Sequence, residues 1–432
     1  MRGRRRLALL LFAGVLLGLG TGCSLMQQPQ TYMRLPKLMA EEEKLMEQVQ
    51  LSLPAGAAII RPRRADQRNT VAMLDLDGDS RQEAVLFYKN KGDKDQIIGE
   101  IWTSRQGAWQ RLATIPGEGY ELDTLKFADL MKNGRQSVMI GYSAANKSDQ
   151  RGLTVYSLEA DGHLTKQFES PYQEFIVDDM NGDGKKDVTI INRTREKEKD
   201  KANAVLYQYE QSMGKLGMVD LDPSVNGYYN VVSGAVAPGQ RGILLDAGVG
   251  AHSSTTQLIV WENGRLRAVF SDRSNPTFRA YSALSTDVDG DGILDIPLMK
   301  EAPGWEEAAM AYKAWLYPYY KWDGKNGLTF VLERYYNNEQ GYYVDIPKDW
   351  VNRYTVEKTP QSVRFVGLSG GQLLAEIRAV PVDQWTESAG GWIELTRTGS
   401  TVFEVNAEAA PVGLSAFHLI TETTQQKEDR LP

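Results

Sequence analysis

The residues of this chain best suited to chemistry are carboxylates, and they recur at a fixed spacing. Three segments, DLDGDSRQE from Asp75, DMNGDGKKD from Asp179 and DVDGDGILD from Asp287, each place an oxygen-bearing side chain at positions 1, 3, 5 and 9. A hard cation such as Ca²⁺ takes about six to eight oxygen ligands, and short acidic loops supply them. The candidate ligands are Asp75, Asp77, Asp79 and Glu83 in the first loop and Asp179, Asn181, Asp183 and Asp187 in the second. In the third they are Asp287, Asp289, Asp291 and Asp295. Position 7 is left for a backbone carbonyl, that of Arg81, Lys185 or Ile293. The expectation is up to three structural Ca²⁺ ions.

Other chemistries find little support. The three histidines, His163, His252 and His418, have no cysteine or carboxylate at zinc-ligand spacing. No nucleophile elbow, zinc-protease helix, phosphate-binding loop or dinucleotide fingerprint occurs. The segment GVGAHSSTTQ (248–257) is read as a structural loop, with ligand contact as its alternative. Adjacent Ser and His residues in one loop rarely reach triad geometry. The aromatic run AWLYPYYKW (314–322) reads as a strand, with sugar stacking as the alternative, and EKEKDK (196–201) as a solvated loop. No cofactor other than the cation and no catalytic residue is assigned.

The elements around the loops set the architecture. Apolar strand-like runs (AVLFY, VTIIN, IPLMK) follow each acidic loop at once. An EF-hand loop would carry its Glu at position 12 and lead into a helix; position 12 here is Leu86, Ile190 or Leu298. Two degenerate copies, DLMKNGRQS from Asp129 and GAVAPGQRG from Gly234, complete a period of about 50–55 residues, the range of propellers and solenoids. Both are expected to be metal-free. Aromatic strands with glycine hairpins at Gly107, Gly162, Gly214, Gly264 and Gly327 recur in the same phase. Each unit then reads as four antiparallel strands, a propeller blade. The fold class is mainly β: a propeller over 57–338 with five countable blades, six if AAIIRP (57–62) adds a closing strand, then an α+β domain over 339–432. Its helix-like pieces are VDQWTESAGGWIEL and GLSAFHLITETTQQKEDR.

The loops between the first two strands of a four-stranded unit resemble the FG-GAP and VCBS-type repeats of integrin-α-like propellers. The resemblance covers roughly 270 residues and is closest at 179 and 287. Glu83 replaces the Asp of the pattern, and the FG and GAP signatures are not evident, so the VCBS-like pattern fits better. The resemblance implies a bacterial calcium-binding propeller. The opening of the C-terminal stretch, GYYVDIPKDW, resembles the first strand of PsbP-like domains.

The N-terminus speaks to location. Arg2, Arg4, Arg5 and Arg6 precede the apolar LALLLFAGVLLGLG, and small residues lead to Cys23, the only cysteine. That is a secretory signal over 1–22 with cysteine where a lipid-modified residue belongs, although Gly20 stands where a lipobox usually has Leu. The apolar stretch is shorter than the ~20 residues a membrane span needs. The reading is an extracytoplasmic, lipid-anchored protein with a tether over 23–36 and a short amphipathic helix within 37–56. External Ca²⁺ suits weak loop sites of ~10⁻⁴–10⁻³ M. Loss of the signal moves the net charge from −7 to −11, which argues against a nucleic-acid partner. The expected partners are the membrane, through lipid, and an unidentified protein or glycan, with the chain a monomer. The expected role is binding or scaffolding. A surface polysaccharide hydrolase or lyase is the alternative, and a sensor or chaperone-like envelope subunit the third.

Overall fold

Apolar residues alternating along short β-branched and aromatic runs build a series of antiparallel sheets, as period-two patterning requires. The computed structural model describes residues 40–64, 70–90, 96–144, 147–159, 161–195, 200–272, 275–386, 390–409 and 415–420. The signal segment, Cys23, the tether, residues 196–199 and the chain end after 420 lie outside the described residues.

Sheets two, three and four are blades of four strands in simple up-and-down order. Their inner strands are Glu121–Ala128, Glu174–Asp178 and Gly227–Ala237. The first sheet has an interrupted inner strand. Ala58–Ile60 and Val71–Leu74 both pair with Glu83–Lys89, in one continuous register that passes from Ile60 to Val71. The stretch 57–62 is therefore part of the first blade and not a sixth. In the fifth sheet the residues before the third acidic loop make only isolated bridges, and the sheet extends outward through Tyr342–Ile346 and Phe417–Leu419. The domain boundary expected after 338 thus runs through a hairpin, because the ladder from Glu333 to Asn337 pairs with Tyr342–Ile346.

A sixth sheet of five strands follows, Tyr354 to Asn406. Among the described residues the C-terminal part contains strands and one 3₁₀ turn, Ala407–Ala409, where helices were expected. Trp392–Arg397 and Phe417–Leu419 are strands because each finds an open sheet edge to pair with, a tertiary partner that overrides local preference. His418 accordingly sits in a strand, stacked on Tyr343 at 4.8 Å between ring centres.

Both faces of each blade are buried against its neighbours. Val85, Phe87 and Ile101 of the first sheet pack on Leu122, Val138 and Ile140 of the second. Met139, Leu153 and Val155 then meet Phe175, Val188 and Ile190. Ile191 and Leu206 meet Ile243 and Ile259, and Leu244 and Leu258 meet Ile296 and Trp322. The helix Ala40–Ser52 lays Leu45 and Val49, both fully buried, on Ala84, Leu86, Tyr88 and Trp102, the outer face of the first sheet. The sixth sheet covers the fifth through Phe365, Ile377 and Phe403. The helix and the sixth sheet thus cover the first and fifth sheets respectively.

Candidate functional site

Each acidic loop is shaped first by its own backbone. The position-1 carboxylate accepts two N–H groups: Asp75 from Gly78 and Ser80, Asp179 from Gly182 and Gly184, Asp287 from Gly290 and Gly292, at 2.7–2.9 Å. Positions 3 and 5 each accept the N–H two residues on, as Asn181 from Asp183 and Asp183 from Lys185. The buried position-9 carboxylate turns back to the N–H of position 2: Glu83 to Leu76, Asp187 to Met180, Asp295 to Val288, at 2.8–3.0 Å. This convergence brings Asp75, Asp77 and Glu83 together, and likewise Asp287, Asp289 and Asp291, each set with carboxylate oxygens within 4.8 Å of one another. Burial pushes Asp187 and Asp295 up to about 6, against the pull of the N–H groups they accept, and raises Glu83.

The third strand of each blade decides what faces the loop. The residue cross-strand from position 9 is Thr103, Gln208 or Lys321. Thr103 Oγ1 donates to Glu83 at 3.1 Å, and Gln208 Nε2 donates to Asp183 and Asp187 at 2.7 and 2.9 Å. Either side chain can turn an oxygen toward a cation. Arg81 pairs with Asp79 at the exposed rim of the first loop. The first two loops therefore hold oxygen donors that a cation could use, although among the described residues only the first and third gather three carboxylates within 4.8 Å. The third does not fit a cation as readily, because the Lys321 ammonium stands 2.7 Å from Asp289, 3.1 Å from Asp291 and 3.4 Å from Asp295. Partial burial opposes its charge, but hydrogen bonds to Asp289 and Asp291 outweigh this and raise its pKa. In the degenerate copies Asp129 keeps the turn bonds to Asn133 and Gly134, and the segment at 234 closes in a two-residue turn with Gly239 at φ 70°. Of the expected hairpin glycines, Gly214 lies within a strand and Gly324, not Gly327, carries the positive φ in the last.

The opposite end of the blades holds a different site. The acidic loops follow the C-terminal ends of the inner strands, whereas residues of three inner strands, mostly toward their N-terminal ends, line a cavity of about 860 Å³. Thr124 and Lys126, Glu174 to Ile176, and Gly227 to Val232 form its walls. The rim includes Gly248, Gly250, His252 and Ser253, so the loop read mainly as structural contributes to a cavity. Ser254 is instead buried and bonds to Tyr281.

Two bulges aim the polar residues here. Asp123 and Tyr229 are the extra residues in their inner strands, between Leu122 and Thr124 and between Tyr228 and Asn230. Asp123 is fully buried and accepts from Tyr172 at 2.7 Å and from Arg63 at 3.0 Å. Gly141 makes room: a Cβ there would come within 2.0 Å of the Tyr172 hydroxyl. Arg64 Nη1 donates to both oxygens of Glu174 at 2.6 Å, and Arg151 reaches Glu174 at 3.4 Å and Asp123 at 3.7 Å. Burial would raise the Asp123 pKa, but the Tyr172 hydroxyl and the arginines outweigh it and hold it below the usual range. Arg63 and Arg64 follow the short strand Ala58–Ile60, and their backbone N–H groups donate to the carbonyls of Leu122 and Asp123.

Next to it, Tyr229 joins a second buried network. Arg279 and Asp246, both fully buried, pair at 3.1 Å, and Arg279 also donates to Tyr229, Thr256 and the Ala283 carbonyl at 2.8 Å. Asp246 accepts from Asn230, Thr256 and Ser285. This network secures the segment that replaces the inner strand of the fifth blade. Sequence reasoning found neither network. The RPRR run at 61–64 was the available signal for the first; Asp123, Glu174 and Asp246 look like ordinary strand residues.

Neither a protein-family model nor a curated protein matches the chain. Similar solved structures include a rhamnogalacturonan lyase of Bacillus licheniformis, at 11% identity over 81% of this chain and 74% of that one, with a TM-score of 0.33. A 6-phosphogluconolactonase-like protein of Bacteroides fragilis matches at 12% identity over 72% and 83%, with a TM-score of 0.28. One of Bacteroides uniformis matches at 11% over 69% and 82%, with a TM-score of 0.30. Likeness at this level carries no functional argument; the propeller-like description stands on the sheet order itself.

Proposed function

We propose that the protein is an extracytoplasmic binding module, held at the outer face of a membrane by lipid on Cys23, that takes a small ligand in the axial cavity. The observation that carries this reading is the cavity: about 860 Å³, walled by inner strands of three blades and lined by aromatic and polar side chains. That volume lies in the ordinary range for ligand pockets, roughly 300–1,000 Å³. The acidic loops, VCBS-like in pattern, serve as stiffeners at the other end. With ~1 mM external Ca²⁺ and a Kd of ~0.1 mM, each occupied loop adds about 1.4 kcal/mol.

A glycosidase reading is less well supported. It needs two carboxyl groups, one of them kept protonated. Asp123 and Glu174 are the non-repeated pair at this cavity, but arginines engage both and Asp123 is held ionised.

Thermal-shift screening of the calcium-loaded mature chain against small saccharides and metabolites tests the binding reading. Ser282 lines the cavity, and Ser282→Trp fills it. At least one compound should raise the Tm of the wild type and leave the folded variant unmoved. Compounds that shift both alike, or a panel that shifts neither, would refute a cavity ligand.

A further inference from the structure

The charge lining the cavity specifies its ligand further. The chain as a whole is acidic, at −7. Around the cavity the balance reverses. Arg63, Arg64 and Lys126 line it with Glu174, and Arg151 and Asp123 stand directly behind. Four cationic side chains stand with two carboxylates here among the described residues. Among the described residues Arg63 spends one nitrogen on Asp123 and keeps 46% of its side chain exposed. Lys126 Nζ lies 5.0 Å over the Phe175 ring, within the cavity wall. A smaller cavity of about 510 Å³ adjoins, sharing Tyr172, and is edged by Arg151 and Arg193. The buried Nε and Nη1 of Arg193 have no hydrogen-bond partner among the described residues.

A guanidinium group offers a planar fork that matches carboxylate and phosphate oxygens. Low-dielectric walls around a cluster of one sign concentrate its field at the mouth. Resting on the binding reading above, we infer that the axial cavity takes the oxyanion group, carboxylate or phosphate, of a small molecule, with Arg63 and Lys126 as its direct charge partners. The aromatic side chains Phe175, Tyr228 and Tyr229 offer the apolar surface for the rest of that molecule. Arg64 and Arg151 act as positioning residues: they neutralise Glu174 and Asp123, so those carboxylates do not repel the ligand.

Isothermal titration of the mature chain, dialysed free of excess calcium, with acetate, methyl phosphate and glucose tests this. At least one anion should bind with one-to-one stoichiometry and weaken as salt is raised. Arg63→Gln and Lys126→Gln should each weaken it about tenfold, a loss of about 1.4 kcal/mol, without changing the circular dichroism spectrum. Arg63→Lys should recover part of the loss. If glucose binds and neither anion does, the oxyanion assignment fails while the binding reading survives. If an anion binds equally well to both variants, the site is elsewhere and the assignment fails. If none of the three binds but the thermal-shift panel yields a neutral cavity ligand, the assignment fails again and the binding reading again stands.

Discussion

Lys321 places a positive charge against three carboxylates of the third acidic loop, where the proposed reading gives the other two loops a bound cation. It occupies the cross-strand position held by Thr103 and Gln208 in the first and third blades. Those two side chains carry an oxygen that can join a coordination shell; an ammonium has only donors. A cation entering the third loop would have to displace Lys321 from three carboxylates, two of them within 3.1 Å. The expected stoichiometry is therefore two Ca²⁺ per chain, and Lys321→Gln should open a third site. Equilibrium dialysis with metal analysis of both proteins measures this directly. Chelation should lower the wild-type Tm by a few degrees, and the variant's by more, since it has lost its internal cation. Three tightly held ions in the wild type, or two in the variant, would contradict the assignment.

Elements show where sequence pattern is readable and where it is not. Leu45 and Val49 follow a helical period, and the helix does pack as that period implies, against Leu86, Tyr88 and Trp102. Leu45→Ala should cost roughly 2–5 kcal/mol through lost burial and a residual cavity. Leu51, exposed on the far side at 82%, serves as the control: Leu51→Ala should change stability by less than about 0.5 kcal/mol. Urea unfolding of both variants decides the matter; equal stabilities would mean the helix does not dock in solution. The acidic loops and most hairpins were legible because a turn's chemistry is local: Asp179 bonds to residues three and five positions on. The cavity was not legible because its partners are distant. Arg63 meets Asp123 across 60 positions and Arg64 meets Glu174 across 110. Likewise, nothing near Phe417 shows that it will pair with Val344, so a helical pattern was read where an open edge made a strand. The missing inner strand of the fifth blade was hidden in the same way, since Arg279 takes its role only once Asp246 of the fourth blade is in place.

At the scale of the whole molecule the two ends of the blades divide the work. One end carries the acidic loops, the other the basic cavity, and the helix beginning at Ala40 covers one flank. Among the described residues no helix is long and apolar enough to cross a membrane. In the proposed reading, lipid on Cys23 is the attachment, and 16 residues separate it from Ala40. A chain of that length reaches at most about 60 Å when extended, enough to hold the cavity clear of the bilayer while keeping it near the surface. One acyl chain binds a membrane only marginally, whereas two or three hold firmly. Cys23→Ala should therefore move the protein from the membrane to the soluble or secreted fraction. Fractionation of the producing cells, with mass spectrometry of the N-terminal peptide, tests this. The wild type should begin at a diacylglyceryl-modified Cys23. An uncleaved Met1, or an unmodified Cys23 in the membrane fraction, would overturn the anchor and remove the reason to place the binding cavity at a membrane surface. It would leave the cavity's chemistry untouched, since that depends on Arg63, Lys126 and the inner strands alone.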